Sequence, residues 1–475
     1  MCIEYMQVGV TRNEISTINP ATGKLIASYG ITPTEQISQI VNNAKTIGFE
    51  NWKRKDVLER CDYIKNLAKV LKKNREQDAK IVTEEMGKPI TQSYAEIDKC
   101  IWLCEYYSEY AESFLRDDII PTEFRKSFVA FEPLGIVAGI MPWNFPFWQA
   151  MRYVVPTLIA GNVTILKHSS VCTGSAIKIS EALDESGLPE YVFQLVIGDY
   201  RVGETLVRSK IDAVSVTGSV STGKRVAQLA SEGLKKCVLE LGGSDPFVVL
   251  EDADLSHTAR QAAQSRLLNT GQSCIAAKRF IVVKDVAEPF VKLLTENIKL
   301  EVVGDPMNPK TTVGPLVRES QRDTIIRQVE DAKSKGGKLL CGGNVTGSNG
   351  YFYEPTVVYG VTRGMDILKE EVFGPVAPVV VVENEAEAIS EANNSEFGLG
   401  ASVWTNNFER GLRIAREIQS GVVKVNEMVR SDPRLPFGGI KSSGIGRELS
   451  EFGIREFVNI KSIVVKEISS KLLVE

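Results

Sequence analysis

Histidine is nearly absent: only His168 and His257 occur in 475 residues. A Ser-His-Asp or Cys-His machine would have to use one of these two. If a cysteine here needs a base, a carboxylate is the more available type. Paired cysteines are also missing. Eight are scattered, at Cys2, Cys61, Cys100, Cys104, Cys172, Cys237, Cys274 and Cys341, with no C-x-x-C pair. Cys100 and Cys104 stand four apart, but no histidine or second cysteine pair is near to complete a zinc site, so no metal is expected. The pattern reads as reduced thiols of a cytoplasmic protein. Apolar runs such as Val379–Val382 fall far short of the ~20 residues of a membrane span. Met1 to Gly9 has no basic segment followed by an apolar one, so no secretory leader is expected. Net charge is only -4, which argues against nucleic acid or an anionic membrane as partner. There is no solenoid-period repeat and no low-complexity tract.

What is present is alternation. The length allows two or three domains with sizeable cores. Helical patterns cover 56–86, stopped by Gly87-Lys88-Pro89, and 93–114, whose aromatics Trp102, Tyr106, Tyr107 and Tyr110 read as core packing. From residue 126 the period changes to that of strands. Strands at 161–167, 191–197, 211–216 and 236–241 alternate with helices at 173–186, 202–209 and 222–233. This spacing predicts an α/β fold with a doubly wound parallel sheet. A second alternating region runs from 244 to about 455, with strands near 279–284, 355–358, 377–382, 401–404 and 421–425. A last strand, 460–466, has no hairpin mate nearby and is expected to pair elsewhere, another subunit being one option.

In doubly wound sheets ligands sit at the carboxyl ends of the strands. Lys167, Gly218-Ser219 and Glu240 all fall at such ends. The loop Thr217–Lys224 opens a helix and could hold a phosphate on backbone N–H groups. It is not G-x-G-x-x-G, and Arg225 replaces the hydroxyl that a P-loop offers magnesium, so an ATPase is not expected. Asn269–Cys274 is a polar turn ending in a cysteine, and Glu240 closes an apolar strand before a glycine pair. Cys274 reads as a nucleophile and Glu240 as its base. The bland readings are a small buried hydrophobe and a solvated strand-end carboxylate. Two prolines bracket Trp143-Asn144 in Met141–Phe147, placing the Asn144 amide in a rigid turn before a helix.

Six segments, Met141–Pro146, Thr217-Gly218-Ser219, Glu240–Gly243, Gly271–Cys274, Glu370–Pro375 and Pro436–Gly439, together resemble the signatures of the aldehyde dehydrogenase superfamily. They occur in order over nearly the whole chain. Lys235–Phe247 and Asn144–Arg152 resemble the succinate-semialdehyde branch. The resemblance implies a Rossmann-like cofactor domain (1–115 and 134–241), an α/β catalytic domain (242–455) and oligomerisation strands (116–133 and 456–475), in a homodimer or homotetramer. It implies that Cys274 attacks the aldehyde, that Asn144 and the Cys274 N–H hold the oxyanion, and that Glu240 activates the water that hydrolyses the thioester. Trp143, Lys167, Ser170, Gly218, Ser219, Leu241, Glu371 and Phe373 match cofactor-contacting positions. Arg152 and Ser431 match substrate-binding ones, with Arg152 offering a forked donor to a distal carboxylate; the alternative is that Arg152 pairs with a structural Asp or Glu.

The sequence also departs from the family pattern. His168 stands where many members have proline. Ser170 replaces the glutamate with which NAD-preferring members bind the ribose, so NADP is the expected cofactor, with NAD as an alternative. Leu268 stands where a second substrate arginine often lies, with Arg266 two residues back. The expected reaction is NAD(P)-dependent oxidation of succinate semialdehyde. The alternatives are a non-phosphorylating glyceraldehyde-3-phosphate dehydrogenase, a broad-specificity aldehyde dehydrogenase, a cofactor-free thiol esterase and a non-catalytic binding protein.

Overall fold

The structure is a computed structural model that describes residues 13–347 and 349–467. The leader expectation for Met1 to Gly9 lies outside the described residues, as does Cys2. Three sheets carry the rest, beside a small hairpin of Glu14–Ile18 with Leu25–Gly30.

The first sheet has the spatial order Gly444–Ile445, Lys236–Glu240, Ala213–Thr217, Ile136–Met141, Val163–His168, Phe193–Val196. All neighbours run parallel except Gly444–Ile445, which comes from late in the chain and pairs antiparallel, Gly444 opposite Glu240. Chain order reverses between Ile136–Met141 and Ala213–Thr217. The Trp143-Asn144 turn and the Gly218-Ser219 loop leave adjacent strand ends at this switch point, where crossovers diverge and leave a crevice. Helix Val57–Met86 begins with a capping box, Asp56 and Glu59 exchanging hydrogen bonds, and ends at Gly87 in the left-handed conformation. Helix Ile90–Leu115 then returns along it. Helix Pro146–Ile159 packs on the second of these and on the sheet.

The second sheet has the order Lys338–Cys341, Thr356–Tyr359, Val376–Val382, Ala277–Val283, Asp245–Val249, Gly400–Trp404, Val422–Val425, parallel except at the Lys338–Cys341 edge. Its central strands are buried on both faces, as parallel strands covered by helices must be. Phe247, Phe280 and Val379 fill one core, and Val248, Ile281 and Val380 the other.

One expectation is made specific and one is corrected. The terminal strand, Val458–Val465, finds its mate in the same chain: it pairs antiparallel with Lys126–Pro133 from Val458 opposite Pro133 to Val465 opposite Lys126. Asp118–Ile119 completes that three-stranded sheet. The aromatic stripe is not core. Tyr107 is buried, but Trp102 and Tyr110 are exposed, and Tyr106, Tyr110 and Phe114 cluster near the surface. Aromatics at helical spacing also suit an outer face on which rings cover one another.

Candidate active site

Helix Leu255–Leu267 feeds a turn of three consecutive left-handed residues, Asn269 (φ 54°), Thr270 (φ 57°) and Gly271 (φ 74°). The glycine adopts this freely; a β-branched threonine does so at a cost of about 1–3 kcal/mol. The surroundings hold it there. Asn269 N–H donates to Gln92 Oε1 (2.7 Å), and Thr270 Oγ1 accepts from Gly314 N–H (3.0 Å). Arg266, fully buried, donates to Gly271 O (2.7 Å), Ala277 O (2.8 Å) and Val372 O (3.3 Å). Arg266 is therefore a clamp on the turn, with no face towards a substrate. The turn ends at Cys274, half-buried between the two large sheets. Burial pushes its thiol up to about 12, against the opposing pull of Lys278 and Arg152. Lys278 Nζ donates to Cys274 O (2.5 Å) and lies 3.4 Å from Glu371 Oε1.

Asn144 reaches the same turn from the first sheet. Its Nδ2 donates to Gln272 O (3.1 Å), and its carbonyl accepts from Asn269 Nδ2 (2.7 Å). The helix beginning at Pro146 is capped from outside: Glu96 Oε1 accepts from Phe147 N–H (2.9 Å) and Trp148 N–H (3.0 Å). A carboxylate suits the positive end of a helix. The other Glu96 oxygen binds the buried ammonium of Lys88, which lies 3.7 Å over the Phe145 ring.

Glu240 is buried, and neither carboxylate oxygen has a hydrogen-bond partner. Burial raises its pKa well above the carboxylate range, and the neighbouring Glu448 raises it further. No hydrogen bond joins it to Cys274 among the described residues. Arg152 Nε lies 2.6 Å from Glu448 Oε2, with both side chains buried, and its guanidinium stacks 4.8 Å from the Phe437 ring centre. Two buried carboxylates share one cation, so one keeps its proton at neutral pH. The ion pair assigns the charge to Glu448 and the proton to Glu240.

This corrects the expectation for Arg152. Its Nε pairs with Glu448, the structural pairing weighed as the alternative, and its Nη2 lies 3.5 Å from Thr217 Oγ1, so the charge offered to a distal carboxylate or phosphate is already largely compensated. The glyceraldehyde-3-phosphate alternative rested on the same free arginine and loses its support. Ser431 is buried and accepts a hydrogen bond from Lys99 Nζ (2.7 Å).

The matched cofactor positions also converge. Trp143 meets Phe373 edge-on at 5.7 Å between ring centres. Glu371 Oε1 accepts from Gly243 N–H (3.1 Å), and Leu241 N–H donates to Ser443 O (2.9 Å). Ser219 caps helix Val220–Ser231, its Oγ accepting from Thr222 N–H (3.2 Å), with Gly218 just before it. Lys167 is buried at its strand end with no carboxylate within ion-pairing distance among the described residues, and burial lowers its ammonium to about 8. Ser170 is half-buried three residues on. An uncompensated cation, a helix start and an aromatic edge fit the phosphates, ribose and ring of a dinucleotide.

His168 bridges two motifs. Its Nδ1 accepts from Ser169 N–H (2.8 Å), so the proton is on Nε2 and donates to Pro146 O (3.0 Å). A second proton would face the Ser169 N–H, and burial pushes the imidazole down to about 4. Glu96, Lys88, Glu448 and Lys278 were not foreseen as site residues, and Arg266 was noted only for its spacing. The only signal was a charged residue on an otherwise apolar helix face or strand.

The comparisons with known proteins agree with this geometry. A family model described as "Aldehyde dehydrogenase family" matches residues 8–463. A probable succinate-semialdehyde dehydrogenase [NADP(+)] of Synechocystis sp. is 43% identical over 450 residues, covering 94% of this chain and 99% of its own. A succinate semialdehyde dehydrogenase [NAD(P)+] of Escherichia coli is 39% identical over 448 residues, covering 94% and 97%. Among solved structures, the succinic semialdehyde dehydrogenase of Streptococcus pyogenes in complex with NADP+ superposes with a TM-score of 0.92 at 34% identity, covering 95% of this chain and all of that one.

Two outcomes follow from the buried charges. Glu96→Gln leaves Lys88 buried without a counter-charge and should cost about 3–5 kcal/mol in urea unfolding. Adding Lys88→Met should recover much of that, and a single-variant loss below about 1 kcal/mol would show the pair to be dispensable. His168 has a folded pKa depressed below its ordinary 6.5, so its contribution is complete above that value and is lost as pH falls towards about 4. His168→Gln should therefore lose less stability than wild type between pH 7 and 4.5; equal losses would contradict a buried neutral imidazole.

Proposed function

The chain belongs to the aldehyde dehydrogenase family, and on that premise we propose that it oxidises succinate semialdehyde to succinate with NADP, NAD being the second choice. The observation that carries the reading is the placing of three groups around one turn: Asn144 bonds the nucleophile turn, and the strand that ends at Glu240 runs on to Gly243, whose backbone lies against Cys274 O. The three groups are a half-buried thiol, a rigid side-chain amide and a buried carboxylate with no hydrogen-bond partner. The named relatives act on succinate semialdehyde, and one solved relative carries NADP+.

The steps follow from the chain's own atoms. Cys274, kept protonated by burial, must lose its proton before attack. Lys278 and Arg152 are the charges that favour the thiolate. Attack on the aldehyde carbon places negative charge on its oxygen. Asn144 Nδ2 and the Cys274 N–H, which has no backbone acceptor among the described residues, stand ready to receive it. The dinucleotide, held by Trp143, Lys167, Ser170, Gly218, Ser219, Leu241, Glu371 and Phe373, supplies the hydride acceptor. Glu240, once it has given up its own proton, accepts one from the water that attacks the Cys274 thioester. Its raised pKa makes it a stronger base than an exposed glutamate. Ser170 carries the preference for NADP, since a hydroxyl accepts a 2′-phosphate that a carboxylate would repel.

The cofactor part corresponds to 1–115 with 134–241, the catalytic part to 242–455, and the assembly strands to 116–133 with 456–475. An exposed strand edge bearing Ile460 and Val464 supports a homodimer or homotetramer. Seven free cysteines among the described residues support a reducing, cytoplasmic setting. No helix of the described residues is long and apolar enough to cross a membrane.

Glu240→Gln should release one burst of reduced cofactor per site and then turn over about 10²–10⁴-fold more slowly. Stopped-flow absorbance separates the phases; loss of the burst itself would place Glu240 earlier, at activation of Cys274. Ser170→Glu should shift the kcat/KM ratio from NADP towards NAD by about 1–3 kcal/mol, roughly tenfold to a hundredfold. A wild type that already strongly prefers NAD would sink the cofactor assignment.

A further inference from the structure

Glu96 caps the helix at Pro146 from outside, and a second acid does the same for another helix of the first sheet. Glu85, near the end of helix Val57–Met86, is fully buried against the start of helix Thr173–Glu185. Its Oε1 accepts from Gly174 N–H (2.7 Å), and its Oε2 accepts from Ser175 N–H (2.8 Å) and Ser175 Oγ (2.7 Å). The residue before this helix, Cys172, makes no side-chain cap of its own. A Cβ on Gly174 would lie 2.8 Å from both Glu85 Oε1 and Tyr29 Oη, so the carboxylate comes this close only because the residue is glycine. The two helices run antiparallel. At the far end Lys73 and Asn74 bond Glu185 on the exposed surface.

The cap acts on the segment just ahead of it. Strand Val163–His168 is held in its ladder as far as His168, which pairs with Met141. Ser170 lies beyond that support, at the start of a short helical turn, Ser170–Cys172, that runs directly into Thr173. Thr173 Oγ1 donates to Ser170 O (3.1 Å). Lys167 is thus placed by the sheet, whereas Ser170 is placed by the helix that follows it. A chain of contacts runs from Glu85 through the first helical turn and the Thr173 hydroxyl to Ser170.

We propose that Glu85 is a positioning residue for cofactor choice, holding the first turn of helix Thr173–Glu185 so that Thr173 sets Ser170 where its hydroxyl meets a ribose 2′-phosphate; this rests on the NADP reading given above. A carboxylate suits the task. It takes three converging donors at once, and its charge complements the positive end of the helix. Glutamine keeps the volume but turns an N–H₂ towards donors that need an acceptor. The bland alternative is that Glu85 only docks one helix on another.

The test uses the cofactor-free chain and two probes, 2′,5′-ADP and 5′-AMP, which differ by the 2′-phosphate. Calorimetric titration gives their affinity ratio in wild type, Glu85→Gln, Thr173→Val and Lys73→Met, alongside thermal melts. The preference for 2′,5′-ADP should fall roughly threefold to thirtyfold in Glu85→Gln, as for a lost helix cap. Thr173→Val, which leaves Glu85 and its three donors in place, should lower it in the same direction. Lys73→Met, which loosens only the far end of the helix, should leave it unchanged. In steady-state kinetics Glu85→Gln should raise KM for NADP more than KM for NAD, with kcat at saturating cofactor kept. Equal weakening of both probes in Glu85→Gln, or an unchanged ratio in Thr173→Val, would make Glu85 a docking residue only and overturn the proposal while the NADP reading stands. A wild type that binds 2′,5′-ADP no better than 5′-AMP would sink the NADP reading and the proposal with it.

Discussion

The left-handed turn at Asn269–Gly271 is the constraint on which the site depends. Three consecutive residues with positive φ, one of them β-branched, do not persist on local preference. Arg266, Gln92 and Gly314 over-determine the turn from three directions. Two of these anchors come from other parts of the chain: Gln92 from the long helix over the first sheet, and Gly314 from a loop beside the second. The nucleophile turn can form only once both sheets have packed. Strain in the turn is offset by burial elsewhere, and Cys274 packs against the core of the first sheet while leading into a strand of the second.

Charge is distributed around this turn in a way that solvent exposure would not allow. Lys88 is matched by Glu96 and Arg152 by Glu448, both pairs buried. Such pairs return little net stability after desolvation. What they provide is direction: Glu96 fixes the start of the helix behind Asn144, and Glu448 takes the charge that would otherwise ionise Glu240 or face the substrate. Glu240 is left unpartnered, and burial together with the Glu448 charge makes it harder to ionise than an exposed glutamate. Once ionised, a carboxylate in that setting takes up a proton from water more readily than an exposed one.

Much of this was legible in the sequence. Alternating apolar strands gave the doubly wound class and most strand positions but not their spatial order, and ligand positions fall at strand ends for topological reasons, so Lys167, Gly218 and Glu240 could be located without coordinates. The side chain of Arg152 could not. Its spacing from Asn144 sets its helix face, but its partner, Glu448, is nearly 300 residues away and no local pattern points to it. The aromatic stripe failed for a related reason: period 3.6 reports that a face exists, not what covers it. For the terminal strand, the sequence showed that no mate was nearby and the family resemblance grouped it with 116–133; the register could not be read, because edge pairing leaves no signal in either strand alone.

The separate glycine motifs become one requirement once their contacts are known. A methyl group on Gly438 would lie 2.5 Å from Glu240 Oε1, one on Gly242 2.6 Å from Glu371 Oε2, and one on Gly243 2.6 Å from Cys274 O. A methyl group on Gly271 would run into Gly374 O. Each glycine therefore sits where a functional group from another motif approaches the backbone. Glu240 touches the Pro436–Gly439 segment, the glycines after Glu240 touch the nucleophile turn and Glu371, and the nucleophile turn touches the Glu370–Pro375 segment. At Gly243 and Gly271 the atoms met are backbone carbonyls, which cannot move aside for a side chain; at Gly438 and Gly242 a side chain would push a carboxylate out of its place. The segments read singly as loop punctuation. Together they are the contact surfaces of one site, which is why finding them in order in a single chain carried more weight than any one of them.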